Sequence, residues 1–224
     1  HKAVVQGEAF GVIRGSRFLR DGAGNRIIGA DGFPLADPVK GVIGNPIPDF
    51  VVKMNNSTSW KMFTLNLDWE WKKGGDVWNG TQAVLDYYGR SENSARLRGT
   101  TGYVFEGVRQ DGHPNTQPVR FYDEGRPVTD NRWTRYGHGG IAEEYIEKGD
   151  HLRLNNIGLS CKLKMKKYLK SMTLTAYVHN LMIWTAYDGA DPDRLLQDQP
   201  GTQGLDFFNI PTAKTFGFNM SIQF

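Results

Sequence analysis

Residues 214–224, the last eleven of the chain, alternate between large apolar side chains and small or polar ones. The apolar positions are Phe216, Phe218, Met220, Ile222 and Phe224. A period of two places these side chains on one face of a β-strand and the intervening ones on the other face. A tilted strand needs about 9–11 residues to cross a bilayer. The pattern therefore favours a membrane-spanning strand.

Further segments show the same period of two. In the clearest one, 59–73, apolar residues alternate with polar ones: Phe63, Leu65, Leu67, Trp69 and Trp71 against Thr64, Asn66, Asp68 and Glu70. Residues 157–165 and 171–184 predict two more strands, and a shift of phase near Asn180 in the second predicts a β-bulge. The less regular segments 3–19 and 50–54 bring the expected number of strands to about six.

The connections between these strands differ in length in an ordered way. Residues 55–58 and 166–170 predict tight turns. Long loops, rich in glycine, proline and aspartate, are predicted at 20–48, 74–149 and 186–212, with a short helix from Thr81 to Tyr88.

Short and long connections alternate along the chain. Transmembrane barrels have short periplasmic turns and longer extracellular loops. The sequence therefore predicts an all-β fold, an antiparallel transmembrane barrel segment with long extracellular loops. Trp71 and Trp184 are expected near the outer membrane interface, and Trp60, Tyr168 and Phe224 near the inner one.

Composition agrees with this prediction and excludes other classes. The mean hydropathy is −0.50 and no run of eighteen apolar residues occurs, which argues against a transmembrane helix. Alternating barrel strands keep mean hydropathy low. The net charge of +3 is spread along 224 residues without a basic arm, so a nucleic-acid partner is not expected. The chain shows no signal peptide, which indicates either a removed signal or a fragment.

No catalytic constellation is recognisable, and neither enzymatic activity nor a cofactor is expected. Four histidines are scattered, at His113, His138, His151 and His179. The only cysteine, Cys161, lies on the apolar phase of its strand. Asp191-Pro192-Asp193 is more typical of a turn than of a calcium site, and no metal site is predicted. Glu143 and Glu144 are expected on a solvated face.

One loop has the composition of a binding surface. Its aromatic and cationic residues are suited to stacking on sugar rings and bonding hydroxyls: Phe121, Tyr122, Arg132, Trp133, Arg135 and Tyr136. The alternative, which the sequence favours, is that they pack the loop on itself or against a partner lid. The polar phase of 59–73 is expected to face the barrel lumen. A soluble carbohydrate-binding β-sandwich, with the apolar rows as its core, stays open as a second possibility.

Several phrases of the sequence occur together in a known order. They are Gly-Asn-Pro-Ile-Pro-Asp-Phe at 44–50, Gly-Gly-Asp-Val-Trp-Asn at 74–79, Tyr-Ile-Glu-Lys-Gly-Asp-His-Leu-Arg-Leu at 145–154, Asn-Leu at 180–181, Trp-Thr-Ala-Tyr at 184–187, Asp-Pro at 191–192 and the terminal strand. In that order they resemble the carboxy-terminal barrel of SusC/RagA-type TonB-linked outer membrane proteins. The resemblance covers nearly the whole chain.

The resemblance implies a barrel of about 22 strands in the outer membrane of a Gram-negative bacterium, filled by an amino-terminal plug. Such a protein imports oligosaccharides or peptides with energy transmitted through TonB, beneath a SusD-like surface lipoprotein that acts as a lid. Residues 1–224 are expected to be about six carboxy-terminal strands, without the plug and the TonB-contacting segment. The segment is therefore not expected to form a closed barrel or to transport alone.

Overall fold

The computed structural model of the protein describes residues 1–165, 169–193 and 203–224. Its strands, in chain order, are β1 (Lys2–Ala3), β2 (Val12–Gly15), β3 (Ile27–Ile28), β4 (Gly41–Gly44), β5 (Pro48–Trp60), β6 (Phe63–Gly74), β7 (Asp76–Asn79), β8 (Val108–Arg109), β9 (Ile146–Lys148), β10 (His151–Lys164), β11 (Ser171–Thr185), β12 (Leu205–Asp206) and β13 (Thr215–Gln223). The helices are α1 (Gly80–Tyr87), α2 (Glu92–Leu97) and α3 (Arg132–Tyr136), with 3₁₀ turns at Val128–Asp130 and Ala142–Tyr145. Among the described residues, no helix is both long and apolar enough to cross a membrane.

The five long strands form one antiparallel sheet in the order β13-β11-β10-β6-β5. Spatial order follows chain order, so the sheet is an up-and-down meander. The strands predicted at 157–165, 171–184 and 213–224 are confirmed. The strand predicted at 59–73 is confirmed from residue 63 onward, because residues 59–60 belong to β5. Residues 3–19 supply β1 and β2 to a separate three-stranded sheet with β4. The large sheet therefore has five strands where six were expected, and within the described residues it is open, with β13 and β5 at its edges.

The predicted turn at 55–58 is wrong. Strand β5 continues to Trp60, and the hairpin turns at Lys61 and Met62, with Lys61 at φ 54°. The polar residues that suggested a turn belong to the ladder, where Asn55 donates a hydrogen bond of 2.8 Å to Asp68. A strand can carry such residues wherever one of its faces is polar. The second predicted turn, 166–170, falls partly on 166–168, outside the described residues.

The predicted bulge at Asn180 is confirmed. Leu154 and Asn156 of β10 are two residues apart, whereas their partners on β11, Met182 and His179, are three apart. Asn180 occupies the extra position with φ 54°. An extra residue of this kind reverses the phase of a strand, which explains the shift in the apolar pattern.

The large sheet has one apolar and one polar face. Register places Leu65, Leu159, Ala176 and Phe218 side by side in one apolar row. The indoles of Trp69 and Trp184 stack with centroids 6.0 Å apart. Many of these side chains are exposed, Phe218 at 68%. A soluble sandwich would bury this face against a second sheet. The structure therefore contradicts the sandwich alternative.

The described parts of the three long connections lie at the same end of this sheet and form a compact outer unit. Its core is made of residues from 18–36 and 105–141: Phe18, Ile28, Phe33, Phe105, Val119, Phe121, Trp133, Tyr136 and Ile141. The predicted short helix is confirmed as α1. Two more helices and short sheets (β12-β7-β9 and β3-β8) give residues 74–149 more order than their sequence suggested. The hairpin at 61–62 and Phe224 lie at the other end.

Candidate functional site

The four residues predicted to line the lumen lie on the polar face of the sheet. Asp68 joins its two neighbouring strands, because Asn55 donates to its Oδ1 (2.8 Å) and Asn156 to its Oδ2 (2.6 Å). Thr64 pairs with Ser160, whose hydroxyl bonds Thr175 at 2.9 Å. The polar face is thus a hydrogen-bonded wall, and its orientation toward a lumen stays a prediction.

A charged cluster closes the outer end of this wall, where Glu70 is the uppermost of the four. The Nε2 atom of His151 lies 3.5 Å from Oε1 of Glu70 and 3.1 Å from Oδ2 of Asp193. Lys72 Nζ approaches the second oxygen of Asp193 at 2.6 Å, and Lys53 Nζ approaches that of Glu70 at 2.9 Å. The cluster thereby ties the loop after β11 to three strands.

Arg153 and Asp191 form an ion pair beside the charged cluster. The guanidinium binds the carboxylate through both of its Nη atoms, at 3.0 and 2.7 Å, and both side chains are buried. Burial by itself raises the pKa of the Asp191 carboxyl, but hydrogen bonds from Arg153 and Thr212 outweigh it and hold that pKa below its ordinary value. Asp191-Pro192-Asp193 is a turn, as predicted, and it also anchors its loop to the sheet.

A cavity of about 310 Å³ lies against the charged cluster. Lys53, Glu70 and Lys72 line it from the sheet, and Pro46 and Asp193 are among the lining residues of the outer loops. It is the place where the polar wall, the loop before β5 and the loop after β11 meet. A polar molecule that entered from the outer end would meet charges of both signs there.

The aromatic residues predicted to bind a ligand lie mostly in the core of the outer unit. Phe121 and Trp133 are each 5% exposed and Tyr136 is 1% exposed, with the Tyr136 hydroxyl donating to the Pro34 carbonyl at 3.0 Å. Rings buried in this way do not reach a sugar. Their proposed binding role is therefore corrected to packing, the alternative that the sequence favoured. Tyr122 is exposed.

The two arginines of the same set hold loops together. Arg135 binds Asp31 at 2.5 Å and lies over the ring of Phe33, 4.2 Å from its centroid. Arg132 pairs with Glu144 and lies 4.8 Å from the ring centroid of Tyr136. Stacked, ion-paired guanidiniums of this kind stabilise a fold.

Glu143 and Glu144 do not form the solvated face that was expected. Glu143 accepts hydrogen bonds from Arg20 at 2.5 and 3.0 Å and from the Phe18 amide at 2.8 Å. Burial by itself raises the pKa of Glu143, but these bonds and the charge of Arg20 outweigh it and hold the pKa below its ordinary value. The carboxylate therefore joins the first long loop to the segment that follows α3.

The outer unit also carries an exposed group of rings that the sequence did not predict. We call it the aromatic platform: Tyr87, Tyr88, His138, Phe207 and Phe208. Centroids of contacting rings lie between 5.0 Å, for Tyr87 and Tyr88, and 6.4 Å, for His138 and Phe207. Tyr88 is 68% exposed and Phe208 54%. The signal in the sequence was the pair Phe-Phe in an otherwise polar loop.

Hydrogen bonds hold the platform in place. Asp206 accepts from the Tyr187 hydroxyl at 2.6 Å and from the Thr81 hydroxyl at 3.1 Å. The Phe208 amide donates to the Thr81 hydroxyl at 2.6 Å, and Phe208 adopts φ 55°, which is uncommon for a bulky residue. The turn thus presents its rings to solvent in a conformation that local bonds maintain.

Comparisons with known proteins agree with this architecture. No model of a protein family matches the chain. The chain is 26% identical over 192 residues to TonB-dependent receptor P3 of Formosa agariphila. This alignment covers 82% of the chain and 17% of the receptor. The chain is 23% identical over 226 residues to TonB-dependent receptor P26 of the same organism, covering 95% of the chain and 20% of that protein. The chain therefore spans about a fifth of the length of these relatives.

Solved structures of a peptide importer are similar to the chain. The RagAB peptide importer in the open-open state superimposes with a TM-score of 0.56 at 13% identity, over 100% of the chain and 24% of the neighbour. Its closed-closed state gives 0.52 at 14% identity, over 99% and 24%. The fold is thus that of part of a TonB-dependent transporter barrel. The resemblance to SusC/RagA-type TonB-dependent receptors is confirmed, and these relatives are receptors and importers, not enzymes.

Proposed function

We propose that the chain forms part of the wall and outer loops of a TonB-dependent transporter in the outer membrane of a Gram-negative bacterium. The observation that carries the proposal is the exposed apolar face of the five-stranded sheet, opposite a hydrogen-bonded polar face. Lipid is the partner that suits such a face, and a water-filled or plugged lumen suits the polar one. The whole transporter imports an oligosaccharide or a peptide with energy supplied through TonB.

The open edges of the sheet support a role within a larger barrel. β13 and β5 each carry a row of backbone donors and acceptors that hydrocarbon does not satisfy. Neighbouring strands of the same barrel would pair them. The segment accordingly contributes wall and loops, and the transport activity belongs to the complete protein.

A SusD-like surface lipoprotein is the partner proposed for the outer end. The aromatic platform supports this proposal, because exposed, rigidly held aromatic side chains are typical of the energetically important centre of a protein interface. Tyr88 and Phe208 would then be covered when the lid sits on the barrel. The cavity beside the charged cluster lies lower, between the loops and the polar wall, where a passing substrate would meet it.

Growth on defined nutrients tests the function and identifies the substrate class. Cells with the intact full-length receptor are compared with a receptor deletion and with a TonB deletion on single oligosaccharides or peptide mixtures. The proposal predicts loss of growth on the same nutrient in both deletions and restoration by the receptor gene. Unchanged growth of the receptor deletion on every oligosaccharide and peptide would contradict the proposal.

A further inference from the structure

Three ligand atoms of the charged cluster converge on one point. They are Nε2 of His151, Oε1 of Glu70 and Oδ2 of Asp193, and all lie within 4.8 Å of one another. His151 lies on β10, Glu70 on β6 and Asp193 in the loop after β11. The fold thus brings together residues that are up to 123 positions apart in the sequence. The cluster has its own cavity of about 310 Å³ on one side.

The hydrogen bonding of His151 determines what its Nε2 atom presents. Nδ1 lies 3.1 Å from the carbonyl oxygen of Gly149, which only accepts, so Nδ1 carries the proton. In the neutral ring Nε2 then presents a lone pair. The side chain is fully buried, and Nε2 has no hydrogen bond of acceptable geometry among the described residues. A fixed Nδ1–H to a backbone carbonyl is also how proteins orient histidine ligands to metals.

A lone pair that faces two carboxylate oxygens is repelled unless a cation lies among them. The lysines do not serve this purpose, because each approaches the other oxygen of its carboxylate: Lys72 approaches Oδ1 of Asp193 and Lys53 approaches Oε2 of Glu70. Arg153 lies 3.7 Å from Oδ2 of Asp193, but its Nη atoms are bound by Asp191. Oε1 of Glu70 and Oδ2 of Asp193 therefore face Nε2 without a lysine, and one cation would bind all three atoms.

We propose that Glu70, His151 and Asp193 bind a divalent transition-metal ion, with Zn²⁺ as the best fit. Nitrogen and oxygen ligands lie about 2.0–2.2 Å from Zn²⁺, and tetrahedral geometry then separates ligand atoms by roughly 3.3 Å. The distances of 3.1 and 3.5 Å from Nε2 bracket that value. One imidazole favours a transition metal over Ca²⁺ or Mg²⁺, and each carboxylate keeps one oxygen for the ion while the other oxygen meets a lysine. The cavity leaves the fourth position to water.

The ion would join the loop after β11 to the wall strands β6 and β10. This inference is independent of the proposed transport function, since it concerns only the affinity of the cluster for an ion. The rival state is a protonated His151 that bridges the two carboxylates by itself, without any metal. The two states differ in a directly measurable quantity, which is the bound metal.

The test uses the full-length receptor purified in detergent, stripped with a chelator and titrated with Co²⁺ and Zn²⁺. We expect one equivalent to bind, with visible Co²⁺ absorption of tetrahedral type that Zn²⁺ abolishes. Asp193→Asn keeps the size of its side chain, and His151→Phe removes the nitrogen ligand. Each variant should weaken binding at least about tenfold, the smallest loss seen even for residues outside the ligand shell. His113→Phe, a histidine of an exposed loop, is the matched control and should bind like the wild type.

Folding of each variant is checked by the heat-dependent mobility of the barrel on electrophoresis, so that a loss of metal is separated from a loss of structure. Absence of a bound ion in the wild-type receptor would overturn the proposal and leave the protonated His151. Equal affinity in the wild type and in folded Asp193→Asn and His151→Phe would also overturn it.

Discussion

Arg153 and Asp191 form a buried, bidentate ion pair between the barrel-wall strand β10 and the loop that follows β11. Its two hydrogen bonds, of 3.0 and 2.7 Å, fix the loop where the polar wall ends. The charges are separated by 38 positions in the sequence, and both lie in phrases that the SusC/RagA resemblance rests on. The pair therefore links the large sheet to the outer unit.

Removal of one partner should release this loop. Arg153→Met leaves the Asp191 carboxylate buried without its guanidinium, which costs about 3–5 kcal/mol when a buried pair is broken in this way. In the full-length receptor, hydrogen exchange of peptides that contain 187–193 should accelerate by about 100-fold or more, at tenfold per about 1.4 kcal/mol. The control is Arg17→Met, whose partner is Asp37 in a half-exposed pair worth at most about 1 kcal/mol. Equal exchange in both variants would contradict this role.

Tyr136 and Tyr122 distinguish packing from ligand binding in the outer unit. Tyr136→Ala removes a ring that is 1% exposed, and comparable core truncations cost about 3–5 kcal/mol. The variant should make the outer loops susceptible to protease while the barrel stays inserted. Tyr122→Ala, at an exposed position, should change stability by no more than about 0.5 kcal/mol. Unchanged protease resistance in Tyr136→Ala, together with lost substrate binding, would restore the ligand role.

The exposed rings of the aromatic platform should matter for partner binding and not for folding. Tyr88→Ser combined with Phe208→Ser should lower co-purification of the surface lipoprotein at least about tenfold, as expected for residues at the centre of an interface. Phe10→Ser is the matched control, because Phe10 is 74% exposed and lies outside the platform. If the double variant retains its lipoprotein as the control does, the lid binds elsewhere.

Acid should weaken the outer unit through Glu143. The folded-state pKa of this carboxyl is lowered, so its contribution to stability is fully present above its unfolded pKa, about 4.3, and is lost as the pH falls toward the folded value. Protease resistance of the wild-type loops should therefore decline below about pH 4.3. Glu143→Gln should start lower at pH 7 and change less with acid. Parallel pH profiles for the two proteins would argue against this ion pair as the cause.

Much of the large sheet could be predicted from the sequence because one face is apolar and the other polar. That alternation predicted β6, β10, β11 and β13, and a change in its phase predicted the bulge at Asn180. It failed at 55–58, since side chains such as Asn55 suit both a turn and a polar strand face. Hydrogen bonds to a neighbouring strand decided the outcome, and those are not local in sequence.

The sequence did not predict the charged cluster or the core of the outer unit, for a related reason. His151 meets Asp193 only because β10 begins beside the end of β11, and neither residue has a neighbour in sequence that reveals this. Phe121 and Trp133 occur among arginines and aspartates, so their composition resembled that of a binding loop. The structure shows that the arginines pair with acids from other segments, which lets the rings form a core.

The apolar face of the sheet is proposed to meet lipid and the polar face the lumen, and neighbouring residues of β6 distinguish the two faces. Leu65 lies on the apolar face opposite Leu159, and Asn66 on the polar face opposite Gly158. An arginine at bilayer mid-depth costs about 2–4 kcal/mol on the lipid face, whereas a lumen position tolerates charge. The measurement is the folded fraction of the full-length receptor in the outer membrane, from its heat-dependent electrophoretic mobility. We expect a large loss for Leu65→Arg and a near wild-type fraction for Asn66→Arg, whereas equal fractions in the two variants would refute the proposed orientation of the sheet.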